Sequence, residues 1–203
     1  MSPVITCLAH MTLQDVSVQR GGRTLISGLS LSLNRPQILW VEGGNGIGKT
    51  SLLRVCAGLS RPEQGMVVWS RDGEPCTPIE IISFLPTQNY AKAQLSVEED
   101  ARFWGADELL PPVGLTDLAR QPSGAISTGQ AKRLSLAKLL AADNPIWILD
   151  EPLAGLDAAG RALVGRLLKQ HVDKGGIAII ASHAAIPIAD IFVQRLRLTS
   201  DTD

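Results

Sequence analysis

No uninterrupted apolar stretch in this 203-residue sequence approaches the roughly 18 residues that a membrane-crossing helix needs. The most apolar tract, residues 177–193, is broken by His183, Pro187 and Asp190, so no segment is expected to span a bilayer. An excess of charge is missing as well. There are 19 basic and 20 acidic residues, a formal net charge of −1, and that balance supplies no positive field to hold a polyphosphate backbone. Nucleic acid is therefore not an expected partner. Cysteine is scarce: Cys7, Cys56 and Cys76 are too widely spaced for a C-x-x-C motif, which fits a reducing compartment. The amino terminus has no basic segment followed by an apolar one, so no secretion signal is expected, and Met11 is a second candidate start beside Met1. Internal repeats and low-complexity linkers are absent too. With 45% hydrophobic and 19% charged residues, the chain is expected to form one domain over residues 1–203.

Short apolar runs alternate with segments of helical period, the pattern of an α/β fold with parallel strands joined by helices. Ile38 to Val41 reads as a buried strand running into a glycine cluster, after which Leu52, Val55, Cys56 and Leu59 fall on one helical face. Ile146 to Leu149 and Ile177 to Ile180 read as two more buried strands, ending at Asp150 and near His183, and those ends should share one sheet edge. Residues 16–18 and 29–33 alternate apolar with polar, as half-buried antiparallel strands do. From about residue 88 to 142 the pattern turns helical, with turns expected at Pro111-Pro112 and Pro122-Ser123-Gly124, and reads as an inserted helical subdomain.

Residues 43–50 spell GGNGIGKT, a phosphate-loop pattern placed where it must lie, after a strand and opening a helix. Gly43, Gly44, Asn45, Gly46, Ile47 and Gly48 can turn successive N–H groups toward phosphate oxygens, and the helix N-terminus adds positive potential. Lys49 supplies a mobile full charge, Thr50 offers a hydroxyl to Mg²⁺, and Ser51 follows within the first turn. Asp150 and Glu151 stand just past a strand end. Asp150 is placed to hold Mg²⁺ and Glu151 to polarise an attacking water, whereas such a pair taken alone is more often a solvated acidic turn. His183 should reach the same edge and could bond the terminal phosphate; a structural histidine is the competing reading.

With those parts in hand, residues 126–130, ISTGQ, resemble the signature of the ABC ATPases, from whose usual L-S-G-G-Q they depart at Ile126 and Thr128. The resemblance implies a RecA-like core with an antiparallel β subdomain and an inserted helical subdomain. It also implies ATP hydrolysis with Mg²⁺. Ser127, Gly129 and Gln130 stand where it expects phosphate contacts, and Ser127 is also a good helix cap whose free N–H groups make an anion site. Gln88 resembles the glutamine that senses Mg²⁺ and the partner, Gly155-Leu156-Asp157 resembles the D-loop, and His183 the switch histidine.

The aromatic residue that often stacks on adenine has no counterpart around Arg20 to Arg23; Arg20 either stacks by its guanidinium plane or is simply exposed. The resemblance further implies a second copy of the chain completing each nucleotide site, and integral membrane permease subunits as partners. The expected place is the cytoplasmic face of a bacterial inner membrane. Tyr90, Phe103 and Trp104 either anchor such an interface or form the core of the insertion.

Within the family the phrasing resembles the branch that serves haem export in cytochrome c maturation. No direct haem binding is expected, because His10, His171 and His183 are scattered. Another small exporter, or a soluble ABC ATPase outside transport, is the alternative. A phosphate-loop kinase would have no use for ISTGQ or a D-loop.

Overall fold

The computed structural model describes residues 8–34, 36–88, 91–188 and 190–199; Cys7 and Tyr90 lie outside them. Nine strands, four α-helices and three 3-10 turns are found among the described residues. β1 (Ala9–Arg20), β2 (Arg23–Leu33), β4 (Gln64–Arg71) and β5 (Glu74–Pro75) form an antiparallel sheet in the order β2-β1-β4-β5. β6 (Ile82–Leu85), β7 (Ile146–Asp150), β8 (Ile177–Ala181), β3 (Gln37–Glu42) and β9 (Val193–Arg197) form a parallel sheet in that order. The α/β class and the pairing of an antiparallel with a parallel sheet agree with the expectation.

Strand period explains how the apolar runs serve two layers at once, because neighbouring side chains on a strand point to opposite faces. Ile146 and Ile148 of β7, with Ile177 and Ile179 of β8, face the antiparallel sheet and α1 (Lys49–Cys56). Trp147, Leu149, Ala178 and Ile180 face α2 (Val97–Phe103), α3 (Thr128–Ala142) and α4 (Ala158–Asp173). Every residue of β7 and β8 is buried, and truncating one of their isoleucines to alanine would cost about 2–5 kcal/mol.

Two local expectations change. Leu59 is half exposed rather than on the buried face of α1. The helix stops at Cys56, and Gly58, at φ +69°, lets its own N–H reach Val55 O while the N–H of Leu59 reaches Arg54 O. Among the described residues of 88–142 there are only two α-helices, with 3-10 turns at Asp107–Leu109 and Thr116–Leu118 between them. Turns at Pro111-Pro112 and Pro122-Ser123-Gly124 fall as expected, and α3 packs directly on β6.

His171 of α4 stacks on Trp147, ring centroids 3.9 Å apart, with Nε2 donating to Ile177 O at 3.1 Å. Burial pushes its pKa down to about 4, against the pull of that carbonyl. The unfolded chain therefore binds a proton between about pH 6.5 and 4 that the folded chain refuses, so stability falls as pH falls through that window. Urea unfolding should show about 2 kcal/mol lost between pH 8 and pH 5 from this group. The loss should be smaller in His171→Phe, and equal losses in both proteins would remove this residue as the source.

Candidate active site

Parallel register brings three strand ends to one edge: Val41 and Asp150 both lie level with Ala181. From β3 the chain turns through residues 43–48 into α1, from β7 it enters the turn at Glu151, and from β8 it reaches His183. The result is a cleft of about 410 Å³ lined by residues of all three segments, including Asn45, Gly48, Ser51, Asp150 and His183, with Arg20 and Leu25 from the antiparallel sheet.

At the floor of the cleft, Lys49 is buried and its ammonium donates to the carbonyls of Gly43 and Gly44, each at 2.8 Å. It also lies 3.1 Å from Nε2 of His183; an ammonium only donates, so Nε2 accepts and the ring proton sits on Nδ1. Beside it, the Thr50 hydroxyl donates to Asp150 Oδ2 at 2.8 Å, and the Thr87 hydroxyl donates to the same oxygen at 2.7 Å.

Glu151 stands next to this pair at φ +49°, a left-handed conformation costing a non-glycine residue about 1–2 kcal/mol, held by its N–H donating to Ala181 O at 2.8 Å. Its Oε2 accepts weakly from the His183 N–H at 3.4 Å, and its Oε1, 3.5 Å from His183 Nε2, is buried with no hydrogen-bond partner. A buried carboxylate oxygen left in that state marks a place for a water or ligand group.

A divalent cation that prefers oxygen suits this donor set: one carboxylate, one hydroxyl and an orphaned carboxylate oxygen nearby. Among the described residues no group of three or more His, Cys, Asp or Glu could hold a metal. An ion here would therefore take its remaining ligands from substrate and water, as Mg²⁺ does with phosphates.

Other candidate residues lie elsewhere. Ser127 caps α3 in a reciprocal box, its main-chain N–H donating to Gln130 Oε1 at 2.8 Å and its hydroxyl accepting from the Gln130 N–H at 3.2 Å. None of Ser127, Gly129, Gln130 or Asp157 lines the cleft. Asp157 caps α4 by accepting from the Gly160 N–H at 2.7 Å and pairs with Arg133 at 2.8 Å; these bonds, the Gly160 one foremost, hold its carboxyl below the usual range. A side chain on Gly129 would come within 2.8 Å of Gly155 O, so glycine is what lets the start of α3 lie against the loop before Asp157.

Gln88 is exposed and lines a second, largely apolar hollow of about 360 Å³ between β6 and α3, together with Phe84, Trp104 and Lys138. Phe103 and Trp104 are more than half exposed, so they are not the core of the insertion.

Sequence reasoning missed two residues. Thr87 precedes Gln88 and carried no motif of its own, although a hydroxyl after a strand end was a usable signal. Lys132 is fully buried on α3, where a charged residue would not be sought.

The chain matches the sequence profile of the ABC transporter family over residues 26–154. The cytochrome c biogenesis ATP-binding export protein CcmA of Agrobacterium fabrum is 37% identical over 204 residues, covering 93% of this chain and 95% of its own. The protein of the same name from Rhodopseudomonas palustris is 41% identical over 180 residues, covering 84% and 90%.

Among solved structures, a putative ABC transporter ATP-binding protein from Pyrococcus furiosus superposes with a TM-score of 0.78 at 23% identity, covering 93% of this chain and 97% of its own. Clostridium perfringens cbiO1, part of the ABC transporter complex cbiONQ, superposes with a TM-score of 0.67 at 26% identity, covering 86% and 78%.

A phosphate loop and an acidic strand end meeting over a parallel sheet define a nucleotide-hydrolysing site of the phosphate-loop class. The chain belongs to the ABC transporter family, as an ATP-binding and ATP-hydrolysing subunit.

Gly48, at φ +113°, leads directly into α1, and a side chain there would sit 3.0 Å from Leu25 Cβ. Gly48→Ala is expected to lose about 1–2 kcal/mol of stability from the backbone conformation alone, measured by urea unfolding. A loss under a few tenths would mean that the loop relaxes freely.

Proposed function

We propose that this subunit powers the export step of cytochrome c biogenesis. In this reading two copies work together beneath integral membrane permease subunits, at the cytoplasmic face of a bacterial inner membrane. What carries the assignment is the end-to-end match to proteins named for ATP-binding export in that process, which leaves neither chain with a large unmatched part.

In this reading Lys49 and the loop N–H groups of residues 43–48 hold the β- and γ-phosphates of ATP, with Ser51 at the start of α1. Thr50 and Asp150, with Gln88 brought in from the neighbouring hollow, hold Mg²⁺. Mg²⁺ supplies charge neutralisation at the phosphates when bound. Glu151 orients and polarises the attacking water through its free Oε1, and His183, 3.1 Å from Lys49, faces the terminal phosphate.

In this reading Ser127, Gly129 and Gln130, which do not line the cleft of their own chain, present the N-terminus of α3 to the nucleotide of a second copy, with Asp157 beside them. Water cleaves the bond between the β- and γ-phosphates, and departure of the inorganic phosphate removes charge shared by the two copies, so the closed pair opens. Arg20, exposed and lining the cleft, would lie against the base in this reading.

The apolar hollow with exposed Ile79, Phe103 and Trp104 suits a permease segment, since exposed aromatics of this kind anchor interfaces. Among the described residues no helix is long and apolar enough to cross a membrane. Haem is left to the partners in this assignment.

Lys49→Ala should lose most binding of MgATP in calorimetry. Glu151→Gln should slow turnover by about 10²–10³ and accumulate a dimer with ATP on size exclusion. Unchanged turnover in the glutamine variant would remove Glu151 from its role. Purification of the tagged chain from membranes with no integral membrane protein attached would count against the transport reading.

A further inference from the structure

Lys132 is 1% exposed and is the largest of the fully buried side chains. It lies one turn inside the N-terminus of α3, and its ammonium donates to Thr87 O at 3.1 Å and, more weakly, to Pro86 O at 3.4 Å. Among the described residues no carboxylate forms an ion pair with it. Burial pushes its pKa down from the ordinary lysine value, while the fields of Asp150 and Glu151 push it up.

A buried ammonium held by two carbonyls is costly unless its position matters, and leucine or methionine would fill the space without that cost. The two carbonyls belong to the residue whose hydroxyl reaches Asp150, and to its neighbour. A single path of polar contacts therefore runs from α3, which carries the ISTGQ segment at its start, through Lys132 and Thr87 to Asp150 and on to Thr50.

We propose that Lys132 is a positioning residue: by clamping the Pro86–Thr87 main chain to α3 it aims the Thr87 hydroxyl at Asp150, and so orients the carboxylate that receives the divalent ion. The inference rests on the assignment of Asp150 to that ion. It gives α3 a direct mechanical hold on the metal-binding carboxylate of its own chain. Outer partners of metal ligands commonly govern about 10–100-fold in affinity or activity, so an effect of that size is expected.

The test compares wild type, Lys132→Met, Thr87→Val and the double variant, with Mn²⁺ as the probe, titrated by electron paramagnetic resonance against ATP-loaded protein. Binding of metal-free ATP is measured alongside, and hydrogen exchange follows residues 86–88 in nucleotide-free protein. Lys132→Met should weaken Mn²⁺ by about tenfold or more, leave metal-free ATP binding within about twofold, and expose the 87 and 88 amides to exchange. Because both side chains act along one path, the double variant should be no worse than the weaker-binding single one.

Mn²⁺ affinity within twofold of wild type in Lys132→Met, or additive losses in the double variant, would overturn the proposal. Equal loss of ATP and Mn²⁺ binding would overturn it too, since that marks a general disruption. If Lys132→Met does not fold, Lys132→Gln replaces it in the same titrations with the same two outcomes. Wild-type protein that binds ATP but shows no ATP-dependent Mn²⁺ site would instead defeat the underlying assignment of Asp150.

Discussion

One carboxylate oxygen, Asp150 Oδ2, ties together three stretches of chain that are far apart in sequence. It ends β7, receives the Thr50 hydroxyl from α1 and receives the Thr87 hydroxyl from the segment after β6. Hydrogen bonds to a charged group contribute about 1.5–3 kcal/mol each, more than neutral ones, and these two converge on a carboxylate that is 2% exposed.

Around this tie the site is built from compromise. Lys49 is buried but satisfied by two carbonyls and an imidazole at the floor of the cleft. Glu151 keeps a left-handed backbone and an unpartnered oxygen, two costs borne at once by one residue at the cleft. The stiff, fully buried strands β7 and β8 support that strain, and the turn at Glu151 is bonded straight onto the end of β8. Stability is thus spent in the sheet and recovered as geometry at its edge.

Much of this was legible in the sequence because it rests on local pattern. GGNGIGKT lies after a strand and before a helix, and Ile146 to Asp150 and Ile177 to Ala181 are buried strands with level ends. Ser127 is a cap because serine followed three residues later by glutamine closes a reciprocal box whatever the fold.

What was not legible depends on packing. Leu59 fits the helical face of α1, but Gly58 ends the helix first. Among the described residues of 88–142, prolines and short segments confine α-helix to α2 and α3, with 3-10 turns and bends between them. Lys132 shares a face with Leu136 and Leu139, a second buried stripe on a helix covered on several sides, and periodicity applied to Leu134 and Ala137 passes over it. Thr87 matters only because two strands and a helix place its hydroxyl at Asp150.

The separation of the ISTGQ helix from the cleft of its own chain is equally informative. The phosphate loop, the carboxylates and the histidine converge there, whereas Ser127, Gly129 and Gln130 are not in its lining and Gly129 lies against Gly155, next to Ala154 of the cleft wall.

The most direct test is calorimetric titration of ATP into wild type and Asp150→Asn, with and without Mg²⁺. The account predicts that Mg²⁺ strengthens ATP binding to wild type by at least about tenfold and does nothing for the asparagine variant, whose metal-free affinity is retained. Equal Mg²⁺ enhancement in both proteins would contradict it.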